Sequence, residues 1–228
     1  MPYKPKAFPR ACLAVWICLM LSCLFACGRH VATEKQKVRD TLHKRVGGPC
    51  DGCGLMYEGM PDGMDAVDTS AAWAETGTKL LIKGRVYQRD GKTPASGIIV
   101  YYYHTDHSGH YSRRNDRPGA QTGHGYIRGW MKTDADGAYA IYTSRPAPYP
   151  HNNIEAHIHM LIKEPQLNEY YVDDLVFSDD PFLTADKRDR LENRGGSGIL
   201  RVLSSGNLQV AQRDIVLGLH IPGYPGEW

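Results

Sequence analysis

Ile127-Arg128-Gly129-Trp130-Met131-Lys132-Thr133 is followed by Asp134-Ala135-Asp136-Gly137 and then by Ala138-Tyr139-Ala140-Ile141-Tyr142-Thr143. Two short runs carrying aromatic and β-branched side chains flank a turn of aspartates and glycine, which predicts a β-hairpin. The pattern continues on both sides. Residues 79–87, 98–104, 156–163 and 170–177 read as strands, and Asp90-Gly91-Lys92-Thr93-Pro94 reads as a turn. Residues 199–203 and 208–217 flank a further turn, Ser204-Ser205-Gly206-Asn207. Short strands with frequent turn signals predict an all-β protein, an antiparallel β-sandwich with a short helical or loop segment before it. Near the C-terminal end, residues 184–192 read as a charged helix opening on a Thr184 cap.

Before the sandwich the composition changes. The chain has 228 residues, enough for one mid-sized domain with a core. Lys4, Lys6 and Arg10 precede an uncharged apolar run over 11–26, the pattern of a secretory signal and too short for a confident membrane span. Leu24-Phe25-Ala26-Cys27-Gly28 resembles the lipobox of bacterial lipoproteins, which implies lipidation of Cys27 and an envelope protein held at a membrane surface by acyl chains. A plain cleaved signal and an uncleaved anchor are the alternatives. Residues 27–48 read as a polar tether, 49–78 as a glycine-rich segment holding Cys50-x-x-Cys53 (loop over 64–76), and 79–228 as the sandwich domain. Loss of residues 1–26 removes those three basic residues and no acid, so the formal charge moves from +2 to −1. A near-neutral protein of this kind argues against nucleic acid as a partner. For Cys50 and Cys53, zinc lacks a second cysteine pair and a thioredoxin-like role lacks its βαβ context, so in an exported protein a local disulfide leads.

The chemistry concentrates in Ala156-His157-Ile158-His159-Met160 and, just upstream, Pro146-Ala147-Pro148-Tyr149-Pro150. Histidines at i and i+2 leave a strand on the same face and can grip a metal. Tyr149 lies between prolines, and Tyr111 lies in Ser108-Gly109-His110-Tyr111. Two phenols and two imidazoles suit ferric iron, because two phenolates offset its charge and a fifth position stays open. Other readings stand beside this one. A His-x-His pair is also a common surface feature, and Tyr111 is also a packing aromatic. Tyr101, Tyr102 and Tyr103 read as alternating strand packing, with Tyr102 and His104 on one face. His104, His107, His110, His124 and His151 make rival ligand sets.

Gly84-Arg85-Val86-Tyr87, Asp90-Gly91-Lys92-Thr93-Pro94, His104-Thr105-Asp106-His107-Ser108-Gly109-His110-Tyr111, Arg128-Gly129, Thr133-Asp134-Ala135-Asp136-Gly137-Ala138-Tyr139, Arg145-Pro146-Ala147-Pro148-Tyr149-Pro150 and Ala156-His157-Ile158-His159 occur in that order. The succession resembles the intradiol ring-cleavage dioxygenases, the protocatechuate 3,4-dioxygenase and catechol 1,2-dioxygenase superfamily, and within it the single-domain lipoprotein-type bacterial branch. The resemblance covers roughly residues 79–181. It implies one Fe(III) per chain, held by Tyr111 and His157 as equatorial ligands and by Tyr149 and His159 as axial ones. It implies a small aromatic ortho-diol and O2 as substrates, with Tyr149 leaving the iron to act as base and Tyr111 beside it. It leaves the particular catechol and the oligomeric state open. The family's arginine three residues before the first histidine is Ile154 here, and a supporting glutamine falls near Asp174. Arg128 and Arg145 are candidates for the missing charge, with structural roles as their alternative. Glu155 is read as facing solvent. The rival from another class is an envelope-tethered transthyretin-like or carbohydrate-binding sandwich with a degenerate metal site.

Overall fold

Alternation along the strand His157–Lys163 organises the molecule. Ile158, Met160 and Ile162 are fully buried in the main core, while His157, His159 and Leu161 point to the opposite face of their sheet. The neighbouring strand does the same: Val100, Tyr102 and His104 face the core, and Tyr101 and Tyr103 face outward. Register then pairs Tyr103 with His159 and Tyr101 with Leu161. A second, smaller core therefore forms on the outer face of this sheet.

The computed structural model describes residues 45–116 and 123–226, all in the unit Arg45–Trp228. The expected signal segment, Cys27 and most of the tether lie outside the described residues. Among the described residues, twelve strands form two six-stranded sheets. The first holds β1 (Val67–Thr69), β5 (Ala138–Ser144), β2 (Lys79–Tyr87), β11 (Leu208–Gln212) and β10 (Leu203–Ser205) in that order, with β12 (Ile215–Val216) also on β2. The second runs β4 (Arg128–Lys132), β3 (Ile99–His104), β6 (His157–Lys163), β8 (Leu175–Phe177) and β9 (Ile199–Leu200), with β7 (Tyr170–Tyr171) on β6. Leu80, Ile82 and Ile141 from the first sheet meet Val100, Ile158 and Met160 from the second across the core.

Several local expectations are corrected. Residues 127–143 do not form a hairpin: β4 pairs with β3, whereas β5 pairs with β2 and β1. The Asp134 carboxylate accepts from the N–H groups of Asp136 and Ala138, and the turn hands the chain to β2 through Val86 N–H to Gly137 carbonyl at 2.8 Å. Both strands carry an apolar face, so the turn crosses from one sheet to the other and the faces oppose across the core. The sheets are mixed rather than purely antiparallel, since β1–β5, β2–β11, β2–β12 and β8–β9 are parallel. The 170–177 run breaks into β7 and β8 because the Asp173 carboxylate turns aside to bind the N–H groups of Asn193 and Arg194. The 208–217 run likewise divides into β11 and β12. The 64–76 loop contains β1 and the 3-10 turn Ala71–Ala74. The late helix is shorter, Ala185–Asp189, with the Thr184 hydroxyl accepting from Lys187 N–H. Val46, read as tether, is 2% exposed in the main core.

The segment holding Cys50 and Cys53 covers the outer face of the second sheet. Its 3-10 helix Cys53–Tyr57 inserts Met56, fully buried, beside Tyr101, Tyr103 and Leu161. Burying such a side chain contributes about 1.5–3 kcal/mol. Trp130 Nε1 donates to the Met56 carbonyl at 2.7 Å, and Arg128 donates to the carbonyls of Leu55 and Glu58. This cap closes one flank of the region where His159 and Tyr111 meet.

Candidate metal centre

Three elements deliver the four candidate ligands: β6 supplies His157 and His159, the loop after β3 supplies Tyr111, and the loop after β5 supplies Tyr149. The two loops are sewn together beneath the tyrosines. Thr105 Oγ1 donates to the Ala147 carbonyl at 2.7 Å, and Ala147 N–H donates to the Asp106 carbonyl at 3.2 Å. The Asp106 carboxylate gathers its own loop, accepting from Ser108 N–H, Ser108 Oγ, His110 N–H and Ser112 Oγ. Gly109 sits at φ +82°, where a Cβ would lie 2.2 Å from the Pro148 carbonyl oxygen. Only glycine lets the loops approach so closely.

The four functional atoms converge. Tyr111 Oη lies 2.8 Å from Tyr149 Oη and 2.9 Å from His159 Nε2, and Tyr149 Oη lies 3.1 Å from His157 Nε2. The other nitrogen of each imidazole is engaged. His157 Nδ1 donates to the Glu155 carbonyl at 2.8 Å, and His159 Nδ1 donates to Asp174 Oδ1 at 2.9 Å. A carbonyl can only accept, so His157 carries its proton on Nδ1 and turns the Nε2 lone pair inward. Three short contacts then join the four inward atoms, while the two hydroxyls bring only two hydrogens. Two oxygens and two ring nitrogens thus converge on one point, the arrangement of donor atoms that a cation accepts.

Protonation agrees. Burial pushes the Tyr111 phenol up, and its hydrogen bond with Tyr149 adds to this; burial also raises Tyr149. A highly charged cation between them is what converts such phenols to phenolates. Burial, with His159 next to it, lowers His157, which keeps its imidazole neutral and ligand-ready. The donor atoms of His157, His159 and Asp174 also lie within 4.8 Å of one another. That trio is the weaker set: Asp174 faces the Nδ1 side of His159, whereas Nε2 faces Tyr111. A carboxylate on the outer nitrogen of a metal-binding histidine is the usual orienting partner.

Other candidates lie elsewhere. Arg145 makes a two-point pair with Asp179 at 2.7 and 2.9 Å and covers the Phe177 ring at 4.2 Å. Arg128 lies over the Tyr101 and Trp130 rings and holds the 3-10 helix. Ile154 is 42% exposed. Glu155 does not face solvent freely: its carboxylate is bound by Lys187. His104 is a core residue, bonded to Thr105 and Thr143, and burial lowers it to about 4. His124 is buried against Tyr101 Oη at 2.8 Å and stacks on Tyr103 at 3.6 Å, so it too is packing. Cys50 and Cys53 have Cα atoms 5.6 Å apart and their sulfurs are in bonding contact.

Sequence reading missed Asp106, Tyr103 and Lys187. Tyr103 stacks on His159 at 4.5 Å and meets the Tyr171 hydroxyl at 2.9 Å. Asp106 followed by Ser108 is an Asx-turn signal that marks a pinned loop. Lys187 carries no local signal.

A family model described as Dioxygenase matches residues 58–191, more than half of the chain. The chain belongs to the intradiol dioxygenase family. It is 32% identical over 117 residues to catechol 1,2-dioxygenase 1 of Acinetobacter lwoffii, covering 44% of this chain and 36% of that one. It is 31% identical over 122 residues to chlorocatechol 1,2-dioxygenase of Pseudomonas sp. (strain P51), covering 44% and 47%. The matched stretches thus span less than half the length of these two curated relatives. In structure it resembles hydroxyquinol 1,2-dioxygenase from Pseudomonas putida DLL-E4, with TM-score 0.52 and 24% identity over 75% of this chain and 64% of that one. It also resembles the dioxygenase domain of a dioxygenase carbohydrate-binding protein fusion from Streptomyces sp. SirexAA-E, with TM-score 0.53 and 23% identity over 71% and 97%. These two likenesses concern the fold.

Proposed function

We propose that the protein is a non-haem Fe(III) dioxygenase that opens a catechol-type ring between its two hydroxyls, placing both atoms of O2 in a muconate-type diacid. The observation that carries this reading is the convergence of two phenol oxygens and two imidazole Nε2 atoms, joined by contacts of 2.8, 2.9 and 3.1 Å. Tyr111, Tyr149, His157 and His159 would hold the iron. Bound there, a ferric ion would supply Lewis acidity toward the diol oxygens. The chain's residues do the rest. Tyr149, as phenolate, accepts a diol proton at Oη and then stands as a neutral phenol bonded to its neighbours. Tyr111 remains anionic and balances charge. Asp174 and the Glu155 carbonyl fix the two imidazoles through Nδ1, keeping both Nε2 lone pairs inward. Tyr103, stacked on His159, sets the plane of that ring.

The substrate class is a small aromatic ortho-diol; Arg128 and Arg145 are engaged with the Leu55 carbonyl and Asp179. Oxygen uptake with a catechol panel, with product identified by mass, tests the reaction. Gain of both oxygen atoms from labelled O2 is expected. Iron bound without turnover of any diol supports instead the envelope-tethered binding module.

Residues 4–27 support an exported, lipid-anchored protein attached through Cys27, with the Cys50–Cys53 disulfide suited to that compartment. A lipid mass on the N-terminal peptide tests the anchor; a mature chain beginning elsewhere than Cys27 refutes it.

A further inference from the structure

We propose that Lys187 is a positioning residue for His157, acting through the segment 153–156. The inference rests on the metal-centre reading above. The segment precedes His157 directly and has no regular structure of its own. It is fastened to the chain after β8 at three points. Lys187 Nζ donates to the Asn153 carbonyl at 2.8 Å and binds Glu155 Oε2 at 2.5 Å. Ala156 N–H donates to Asp180 Oδ2 at 2.9 Å. Glu155 is the residue whose carbonyl accepts from His157 Nδ1.

The contact is not an ordinary surface ion pair. The Glu155 side chain is only 16% exposed and that of Lys187 34%. By contrast, Asp186 on the same helix and Arg190 at its C-terminal cap are 71% and 76% exposed. One ammonium spanning a carbonyl and a carboxylate two residues apart fixes the backbone between them. That backbone includes the carbonyl that selects the tautomer of His157. The helix bearing Lys187 is itself held, because Arg188 Nη2 donates to the Ser178 carbonyl at 2.8 Å. The cation thus occupies the stretch just before His157 where Ile154 supplies none. Its role is geometric: it holds in place the backbone that carries the Glu155 carbonyl.

The test uses the full-length protein freed of metal, with Lys187→Met, Lys187→Arg and, as control, Arg190→Ala. Long-range proton–nitrogen NMR reads the tautomer of His157, and Co(II) titration reads affinity for the metal. Lys187→Met should turn a single Nδ1–H tautomer into a mixture and weaken Co(II) binding about tenfold or more. Lys187→Arg should restore the single tautomer, and Arg190→Ala should match wild type. A folded Lys187→Met protein with the wild-type tautomer and Co(II) affinity overturns the proposal, as does an equal loss in Arg190→Ala. Should Lys187→Met not fold, Glu155→Met serves, since it removes the side-chain acceptor of Lys187: it must show the same mixture, and wild-type behaviour overturns the proposal. If wild type binds no Co(II) while Lys187→Met still alters the tautomer, the metal reading fails and the positioning role stands.

Discussion

Replacing Asp106 with asparagine removes one negative charge from beneath the Tyr111 loop and leaves the shape unchanged. Burial alone would raise this carboxyl, but the hydroxyls of Ser108 and Ser112 and the N–H groups of His110 and Ser108 outweigh it and hold the pKa at about 2. Against an ordinary 3.8, and at about 1.4 kcal/mol per tenfold in proton affinity, the ionised form contributes roughly 2 kcal/mol. The folded pKa is depressed, so this stability is fully present above pH 3.8 and is lost as pH falls through about 2. Asp106→Asn should therefore lower stability at pH 7 by about 2 kcal/mol, or about 4–8 °C in melting temperature for a body of this size. Urea unfolding of both proteins, repeated at descending pH, measures the gap. It should be flat from pH 7 to pH 4 and shrink below that. A variant melting within about 1 °C of wild type at pH 7, or a gap that survives undiminished to about pH 2, refutes the reasoning.

Gly109→Ala places a Cβ 2.2 Å from the Pro148 carbonyl oxygen at a positive φ, so the Tyr111 and Tyr149 loops must part. We expect a loss of about 2 kcal/mol or more together with weakened metal binding, read by melting and by titration. Asp174→Asn keeps an acceptor at His159 Nδ1 but discards its charge; metal affinity should fall about tenfold, and an unchanged titration contradicts the orienting role. Cys50→Ser with Cys53→Ser opens a very short loop, so melting should report a loss of no more than about 2 kcal/mol. A free-thiol count of zero on the native protein confirms the bond that this prediction assumes.

The strands were legible where side chains alternate between two environments. Residues 157–160 carry that alternation plainly, because Ile158 and Met160 meet the core and the two histidines meet a distinct surface. Partnership was not legible. Nothing local in Asp134-Ala135-Asp136-Gly137 distinguishes a hairpin turn from a crossing between sheets; the choice is made by β2 and β3 competing for the two strands. Parallel pairings such as β2 with β11 join residues far apart in sequence and leave no turn signature. At the centre, the histidine pair and Tyr149 were visible from spacing and surroundings, and Tyr111 from the order of landmarks around it. Lys187 escaped because its contact with Glu155 depends on how a five-residue helix packs. The cap over 49–63 escaped for a similar reason: Met56 and Cys53 look unremarkable until they fill the outer face of the second sheet.

Metal analysis with a visible spectrum, on aerobically purified wild type and Tyr111→Phe, tests whether Tyr111, Tyr149, His157 and His159 hold ferric iron. The account predicts close to one iron per wild-type chain and a strong visible band from phenolate-to-iron charge transfer that changes on adding catechol. In Tyr111→Phe the band should be bleached and the iron lost or weakly held. A colourless wild-type protein carrying stoichiometric zinc, or a spectrum indifferent to Tyr111→Phe, contradicts it.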